Sequence, residues 1–203
     1  GSYLLLEIDN RPVITQKLQA KIIELKRYFK EKQITLKNFS LKGDTILFET
    51  TDNEIENVKN ILNDKESDVN TYYPTYKSHE FDVLEDGNLF SLNYSRYGLV
   101  LLKNSSLDQA IEIVRRRVDE VGTNEPNILK RGNDRILVEL PGLDDPNRIK
   151  SLLGKTANLT FQFISQNNEE SFGTEKLSFE DGSRDAIVSK RIILSGDNLV
   201  DAK

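Results

Sequence analysis

The sequence predicts an α+β fold made of two tandem copies of one β-α-β-β-α-β plan, followed by the start of a third unit. Three observations carry that prediction. An apolar stripe of helical spacing, Leu18, Ile22, Leu25 and Phe29, returns 89 positions later as Leu107, Ile111, Val114 and Val118. A β-rich pair joined at a glycine turn follows each stripe, and Ile46-Leu47 is matched by Ile136-Leu137 at a shift of 90. A shorter amphipathic stretch follows, with Val58, Ile61 and Leu62 matched by Ile149, Leu152 and Leu153 at a shift of 91. The offset drifts by one residue per connection, as small loop insertions produce.

In the first copy, Tyr3 to Ile8 reads as a strand and Val13 to Glu31 as the long helix. Thr35 to Leu41 and Thr45 to Thr50 follow as a hairpin closed at Lys42-Gly43-Asp44. Thr51 and Glu54 have the spacing of a capping box opening the short helix, and Val69 to Tyr76 alternates as a last strand. In the second copy the leading strand is Phe90 to Tyr94. Ser106 and Gln109 form another capping box, and Gly122 suits a C-terminal cap, so the long helix is predicted from Ser106 to Gly122. Asn127 to Lys130 and Arg135 to Leu140 flank Gly132-Asn133-Asp134 as the repeated hairpin, Asp145-Pro146 opens the short helix, and Asn158 to Ile164 closes the copy.

A hairpin between two such connections, with helices apolar on one side only, is the ferredoxin-like plan: an antiparallel sheet with both helices on one face. The predicted units are 1–87 and 88–165. Residues 166–203 change character, with a polar run Gln166-Asn167-Asn168-Glu169-Glu170 and then Gly173, Gly182 and Gly196, and read as a linker and the start of a further subdomain.

Composition narrows the chemistry. The 203 residues are 37% hydrophobic, enough for real cores, and 28 Lys and Arg against 33 Asp and Glu leave a net charge of -5, which disfavours nucleic acid as a partner. With no Cys and one His there is no disulfide, thiolate nucleophile or His-based metal site, and no cofactor is read from the chain. No apolar run approaches the ~20 residues of a membrane span. The absence of Met, with Gly1-Ser2 at the start, leads us to expect a fragment whose natural chain continues past Lys203.

Each motif that imitates a catalytic site has a structural explanation. Gly154-Lys155-Thr156 resembles the end of a phosphate loop, yet a helix precedes it and a strand follows, and Ile149 stands where a glycine is required. His79 lies near Glu80 and Asp82 in a tyrosine-rich segment, without a nucleophile elbow. Asp144 and Asp145 before Pro146 fit helix capping, and Arg115 to Arg117 fit a solvated helix face. The strands Thr45 to Thr50 and Arg135 to Leu140 lack the paired aromatics of an RNA-binding sheet. Asp9-Asn10-Arg11-Pro12 offers an arginine without the glycines of an acylphosphatase-like anion loop.

The block from Ala110 to Phe163 closely resembles the first periplasmic domain of the SecD family of protein-export membrane subunits. The resemblance runs in order through Arg117-Val118-Asp119, Gly122, Glu125-Pro126, Leu140-Pro141-Gly142, Leu153-Gly154 and Ala157. Tyr3 to Asp9 and the stretch Ile193 to Leu199 resemble the family's flanking segments, whereas Arg11 to Gly87 fits by position as an additional N-terminal region. Ser2 and Thr123 depart from the family's usual Gly and Val.

The resemblance implies a part without an active site. Arg117, Asp119, Gly122, Glu125, Pro126, Pro141, Gly142 and Gly154 would be its framework positions. It would lie on the periplasmic side of the bacterial inner membrane, anchored by segments absent from this chain. Its partners would be SecF, the SecYEG channel and the unfolded preprotein, whose export it would aid by the proton gradient. Ser165, Gln166, Asn167, Asn168, Glu169 and Glu170 would form the hinge. A small-molecule-binding regulatory tandem and an acylphosphatase-like hydrolase are the other readings.

Overall fold

The computed structural model describes residues 2–122, 125–142, 147, 151, 153, 160–165, 174–178 and 185–195. It is α+β, with antiparallel sheets throughout. The chain divides into two units: a split lobe made of Gly1–Asn10 together with Lys103–Lys203, and an inserted lobe, Arg11–Leu102, that lies between those pieces in sequence.

The split lobe is organised by its first strand. β1 (Ser2–Ile8) pairs on one side with β9 (Arg135–Leu140), from Ser2 opposite Leu140 to Glu7 opposite Arg135. On its other side it pairs with β10 (Thr160–Ser165), Leu6 opposite Phe163 and Ile8 opposite Phe161. β8 (Asn127–Arg131) adds to the far side of β9, and β11 (Thr174–Ser178) and β12 (Asp185–Ser195) extend the sheet beyond β10, in the order β11-β12-β10-β1-β9-β8. Leu4, Leu6 and Ile8 alternate with Leu5 and Glu7, so they share one face of the sheet with Ile136, Val138 and Leu140. That face packs on Leu107, Ala110, Ile111, Val114 and Val118 of the helix α3 (Arg96–Asp119), and Leu153 joins the same core. The predicted stripe is therefore the buried one.

The inserted lobe is a second antiparallel sheet over two helices. Its strands are β2 (Leu36–Lys42), β3 (Thr45–Thr50), β6 (Phe81–Asp86) and β7 (Leu89–Tyr94), in the order β2-β3-β7-β6. Ile46 and Phe48 of β3 and Phe90 and Leu92 of β7 meet Ile14, Leu18, Leu25 and Phe29 of α1 (Arg11–Glu31) and Val58 and Leu62 of α2 (Ile55–Asn63). Phe48 and Phe90 stack with ring planes 2° apart and centroids 5.4 Å apart, so the two central strands are matched ring against ring. Both predicted hairpins form, and Gly43 (φ 61°) and Gly132 (φ 63°) take the left-handed conformation that their turns need.

The division at 1–87 and 88–165 is corrected by the strand pairings. The repeat puts β1 in the first copy and β7 in the second; instead β1 completes the sheet of the second hairpin and β7 that of the first. The reason is local. β6 and β7 are joined by a turn at Gly87 (φ 59°) and pair along their whole length, which commits β7 to the lobe that precedes it. β1 then has the other sheet. Likewise residues 174–178 and 185–195, expected in a third unit, form strands in the sheet of β1.

Three element boundaries also differ from expectation. The long helix begins at Arg96 instead of Ser106, because Ser95 is the real cap and Leu99 and Leu102 belong to the inserted lobe's core. Ser106 consequently lies mid-helix, 3% exposed. The Thr51–Glu54 box does not form; a 3-10 turn, Asp52–Glu54, leads into α2, and only backbone atoms of Thr51 and Glu54 bond, at 2.9 Å. Val69 to Tyr76 is not a strand of the main sheet. It contains the two-residue β4 (Tyr72–Tyr73), paired with β5 (Ser78–His79), while the fourth strand is β6. The start of the short helix at Asp145-Pro146 and the Gly154-Lys155-Thr156 stretch lie outside the described residues.

A pair of core truncations separates the two ways of dividing the chain. Leu6→Ala and Phe90→Ala should each cost about 2–5 kcal/mol as large-to-small core changes. Amide hydrogen exchange should rise in β8 and β9 for Leu6→Ala and in β2 and β3 for Phe90→Ala; the reverse assignment of lobes would show the opposite pattern.

Candidate interaction surface

The segment between α2 and β6 carries few large apolar residues, so polar groups hold it. Asn70 is fully buried, and its side chain does the work of a neighbouring strand. Its amide donates to the carbonyls of Leu62 (2.8 Å) and Phe81 (3.1 Å), and its Oδ1 accepts the Phe81 N–H (2.9 Å). A buried side chain with these bonds made is stabilising, and with one partner missing it costs about 1–3 kcal/mol. Asn70 thereby fixes the start of β6.

The start of α3 is fixed next to it. The Ser95 Oγ accepts the Gly98 N–H (2.9 Å) and donates to the His79 carbonyl (2.5 Å), and the Ser95 N–H donates to the Glu80 carbonyl (2.9 Å). Gly98 sits so close to the residue between β5 and β6 that a Cβ there would lie 2.2 Å from the Glu80 carbonyl oxygen. Only glycine permits that approach.

On this frame stands a group of tyrosines. Tyr73 comes from β4, Tyr76 from the 3-10 turn Pro74–Tyr76, and Tyr97 from the first turn of α3. Tyr76 and Tyr97 stack at 3.8 Å between centroids, and Tyr73 meets Tyr97 edge-on at 5.2 Å. Lys77, left-handed at φ 48°, closes the turn by donating its N–H to the Pro74 carbonyl at 3.2 Å. Tyr76 is 59% exposed, so the stack presents an aromatic face to solvent while its ring positions are set. Rings held in this way offer contact area at small entropic cost, the property of aromatic residues that dominate protein contacts.

The phenols bear the mark of this environment. Burial, followed by the nearby Glu80 carboxylate and Tyr73, pushes Tyr94 up to about 12. Tyr73 is raised by burial and then by Glu80. Tyr97 is raised by loss of solvent, by its hydrogen bond with Tyr76 and by charge at Tyr76 and Tyr73. All stay neutral across the physiological range.

His79 is part of the scaffold. Its ring lies 4.8 Å from Tyr72, and its Nε2 is 3.0 Å from the Asp64 carbonyl. The hydroxyls near it, those of Ser78 and Ser95, donate to its backbone carbonyl and not to its imidazole. Among the described residues no group of three His, Cys, Asp or Glu could hold a metal ion, and no helix is long and apolar enough to cross a membrane. One cavity of about 420 Å³ lies at the end of α1, lined by Lys26, Phe29, Lys30, Gln33, Ile34, Thr35 and Leu36.

The positions named for the family framework are not gathered into a site. Arg117 reaches Glu120 at 3.3 Å and Arg115 reaches Glu112 at 3.7 Å, which makes this a solvated helix face. Asp119 ends α3, and its carbonyl accepts the N–H of Gly122, whose φ is 71°. Glu125 (φ 31°) and Pro126 lead into β8, and Pro141 and Gly142 (φ 82°) turn the chain after β9. Ser165 is the last residue of β10, opposite Ile187. Gly154 and the hinge positions Gln166, Asn167, Asn168, Glu169 and Glu170 lie outside the described residues. The tyrosine group itself was present in the sequence as Tyr72, Tyr73 and Tyr76 around His79; what hid it was Tyr97, which the predicted helix start at Ser106 left outside the helix.

Residues 107–166 match the family described as "Protein translocase subunit SecDF, P1 domain, N-terminal". Over its whole length the chain is 32% identical to the protein translocase subunit SecD of Rickettsia bellii, covering 38% of that protein. It is 34% identical over 82% of its length to SecD of Acetobacter pasteurianus, covering 31% of it, and 28% identical over its whole length to SecD of Pseudomonas aeruginosa, covering 32%. The chain thus spans well under half the length of these relatives. No solved structure matches it.

Two substitutions test the frame. Gly98→Ala should destabilise the inserted lobe by about 1–3 kcal/mol, as overpacking does, read as a shift in its denaturant midpoint. Because Tyr94 has a higher pKa folded than its ordinary value of 10.0, its stabilising effect is complete below pH 10 and is lost as pH rises toward about 12. Unfolding free energies at pH 8 and pH 11 should therefore diverge more for the wild type than for Tyr94→Phe.

Proposed function

The chain belongs to the SecD family of protein translocase subunits, and we propose that it serves as an extracytoplasmic contact and force-transmitting part of a Sec export accessory. The observation that carries this reading is similarity along the full chain to proteins of that name, together with the ordered motif block from Arg117 to Ala157. In it, the two lobes work on the periplasmic side of the bacterial inner membrane, alongside SecF and the SecYEG channel. They engage preprotein as it emerges, and movement of protons elsewhere in the full-length protein supplies the energy.

Both lobes are, in this reading, ferredoxin-like. Taking β1, β8, β9 and β10 as strands one to four gives the order 4-1-3-2 within the split lobe's sheet. The inserted lobe has the same order once its first strand is moved to the end of the chain segment, as β7. Such sheets suit a lever, since closed cores resist deformation. We place the hinge at Ser165 to Glu170. Crosslinking this run to β8 in the full-length protein should abolish export stimulation, and undiminished export would reject the placement.

The tyrosine group is the proposed contact for preprotein, since an exposed aromatic face rimmed by hydroxyls accepts many side chains without selecting a charge. A photoreactive residue at position 76 in the full-length protein should crosslink to a stalled export substrate, whereas the same residue at exposed Lys42 should not. Equal labelling from both positions would remove the tyrosine group from the proposal. The regulatory small-molecule reading is kept for one observation, the cavity lined by Lys26 and Lys30. An anionic-metabolite thermal-shift screen in which no compound raises the midpoint would retire it.

A further inference from the structure

We infer that the split lobe contains a strand-acceptor groove between β9 and β10, with residues 2–8 as its resident occupant and the same segment of a second copy of this chain as an alternative one. The groove is defined by what β1 touches. Six residues, Ser2 to Glu7, pair with β9, and three, Leu6 to Ile8, pair with β10, so β1 is bonded along both edges. The Ile8 N–H also donates to the Asp134 carbonyl at 2.7 Å. Leu4, Leu6 and Ile8 enter a core whose other members all come from Leu107 onward. The stretch that directly follows β1 in sequence, Arg11–Leu102, belongs to a different unit. The groove is therefore built entirely by chain far from its occupant, and only a long tether makes that occupant the chain's own.

The chemistry of recognition follows from these contacts. Two backbone edges demand an extended segment, and the core beneath demands apolar side chains at alternate positions, here Leu4, Leu6 and Ile8. A second copy offers the identical segment. The tether raises the local concentration of the resident strand to the order of mM, so exchange between intact copies is confined to comparable protein concentrations. Disabling the resident strand removes that advantage.

The test uses two full-length variants. Leu4→Glu combined with Leu6→Glu spoils the donor strand and leaves the groove; Val114→Asp spoils the core beneath the groove and leaves the donor strand. Mixed at equal concentration, they should form a one-to-one heterodimer by light scattering, with hydrogen-exchange protection of β9 restored in the first variant only. Since a charged β1 leaves that lobe open, a peptide of residues 2–9 added to the first variant alone provides a second measurement. It should restore β9 protection, while the same residues in shuffled order should not. Hydrogen-exchange protection of β3 and β7 reports that the inserted lobe stays folded throughout. The groove is overturned if neither the second variant nor the peptide restores protection, or if β9 is protected in the first variant alone. Peptide rescue without a heterodimer would overturn the second copy as occupant.

Discussion

The structure depends on where seven residues at the start of the chain find their partners. β1 is the strand through which β9 and β10 communicate, and without it the split lobe's sheet falls into two pieces with an open apolar floor. Hydrogen bonds along both edges and three buried side chains beneath are enough to draw it past the whole inserted lobe. Closing so long a loop is less costly than it looks, because the entropy of closure grows only with the logarithm of length, each doubling adding about 0.6 kcal/mol. Long-range pairing of this kind is thus a matter of fit more than of distance.

Much of the fold was legible because the two copies share a period. The stripe from Leu107 to Val118 is buried as its spacing demands, and both glycine hairpins form where Gly43 and Gly132 stand. What spacing does not encode is partnership. β1 and β7 each precede a long helix in the sequence and have similar apolar patterns, so either could fill either sheet; the choice is made by the β6–β7 turn at Gly87. β6 itself is hidden in the sequence because Phe81-Asp82-Val83-Leu84-Glu85-Asp86 is half acidic. Its outward edge tolerates charge as edge strands do, and only Phe81 is fully buried.

The tyrosine group is harder still to read from sequence, since none of its supports is a motif. Asn70 looks like an ordinary turn residue, but it is sealed in the interior and replaces a strand's hydrogen bonds. Ser95 is a helix cap eleven residues ahead of a more conspicuous candidate, Ser106, which meets every sequence criterion for capping except that the helix is already under way. Local patterns rank possible caps; the packing of Leu99 and Leu102 decides between them.

The order of synthesis gives the position of β1 a temporal meaning. Its leucines leave the ribosome some 130 to 160 residues before β9 and β10 are made. At about 5–20 residues per second this is a wait on the order of ten seconds, ample for Arg11–Leu102 to fold meanwhile. The nascent chain then carries an unpaired apolar strand ahead of a folded lobe, and keeping that strand in solution until its slot exists is a task for whatever meets the emerging polypeptide.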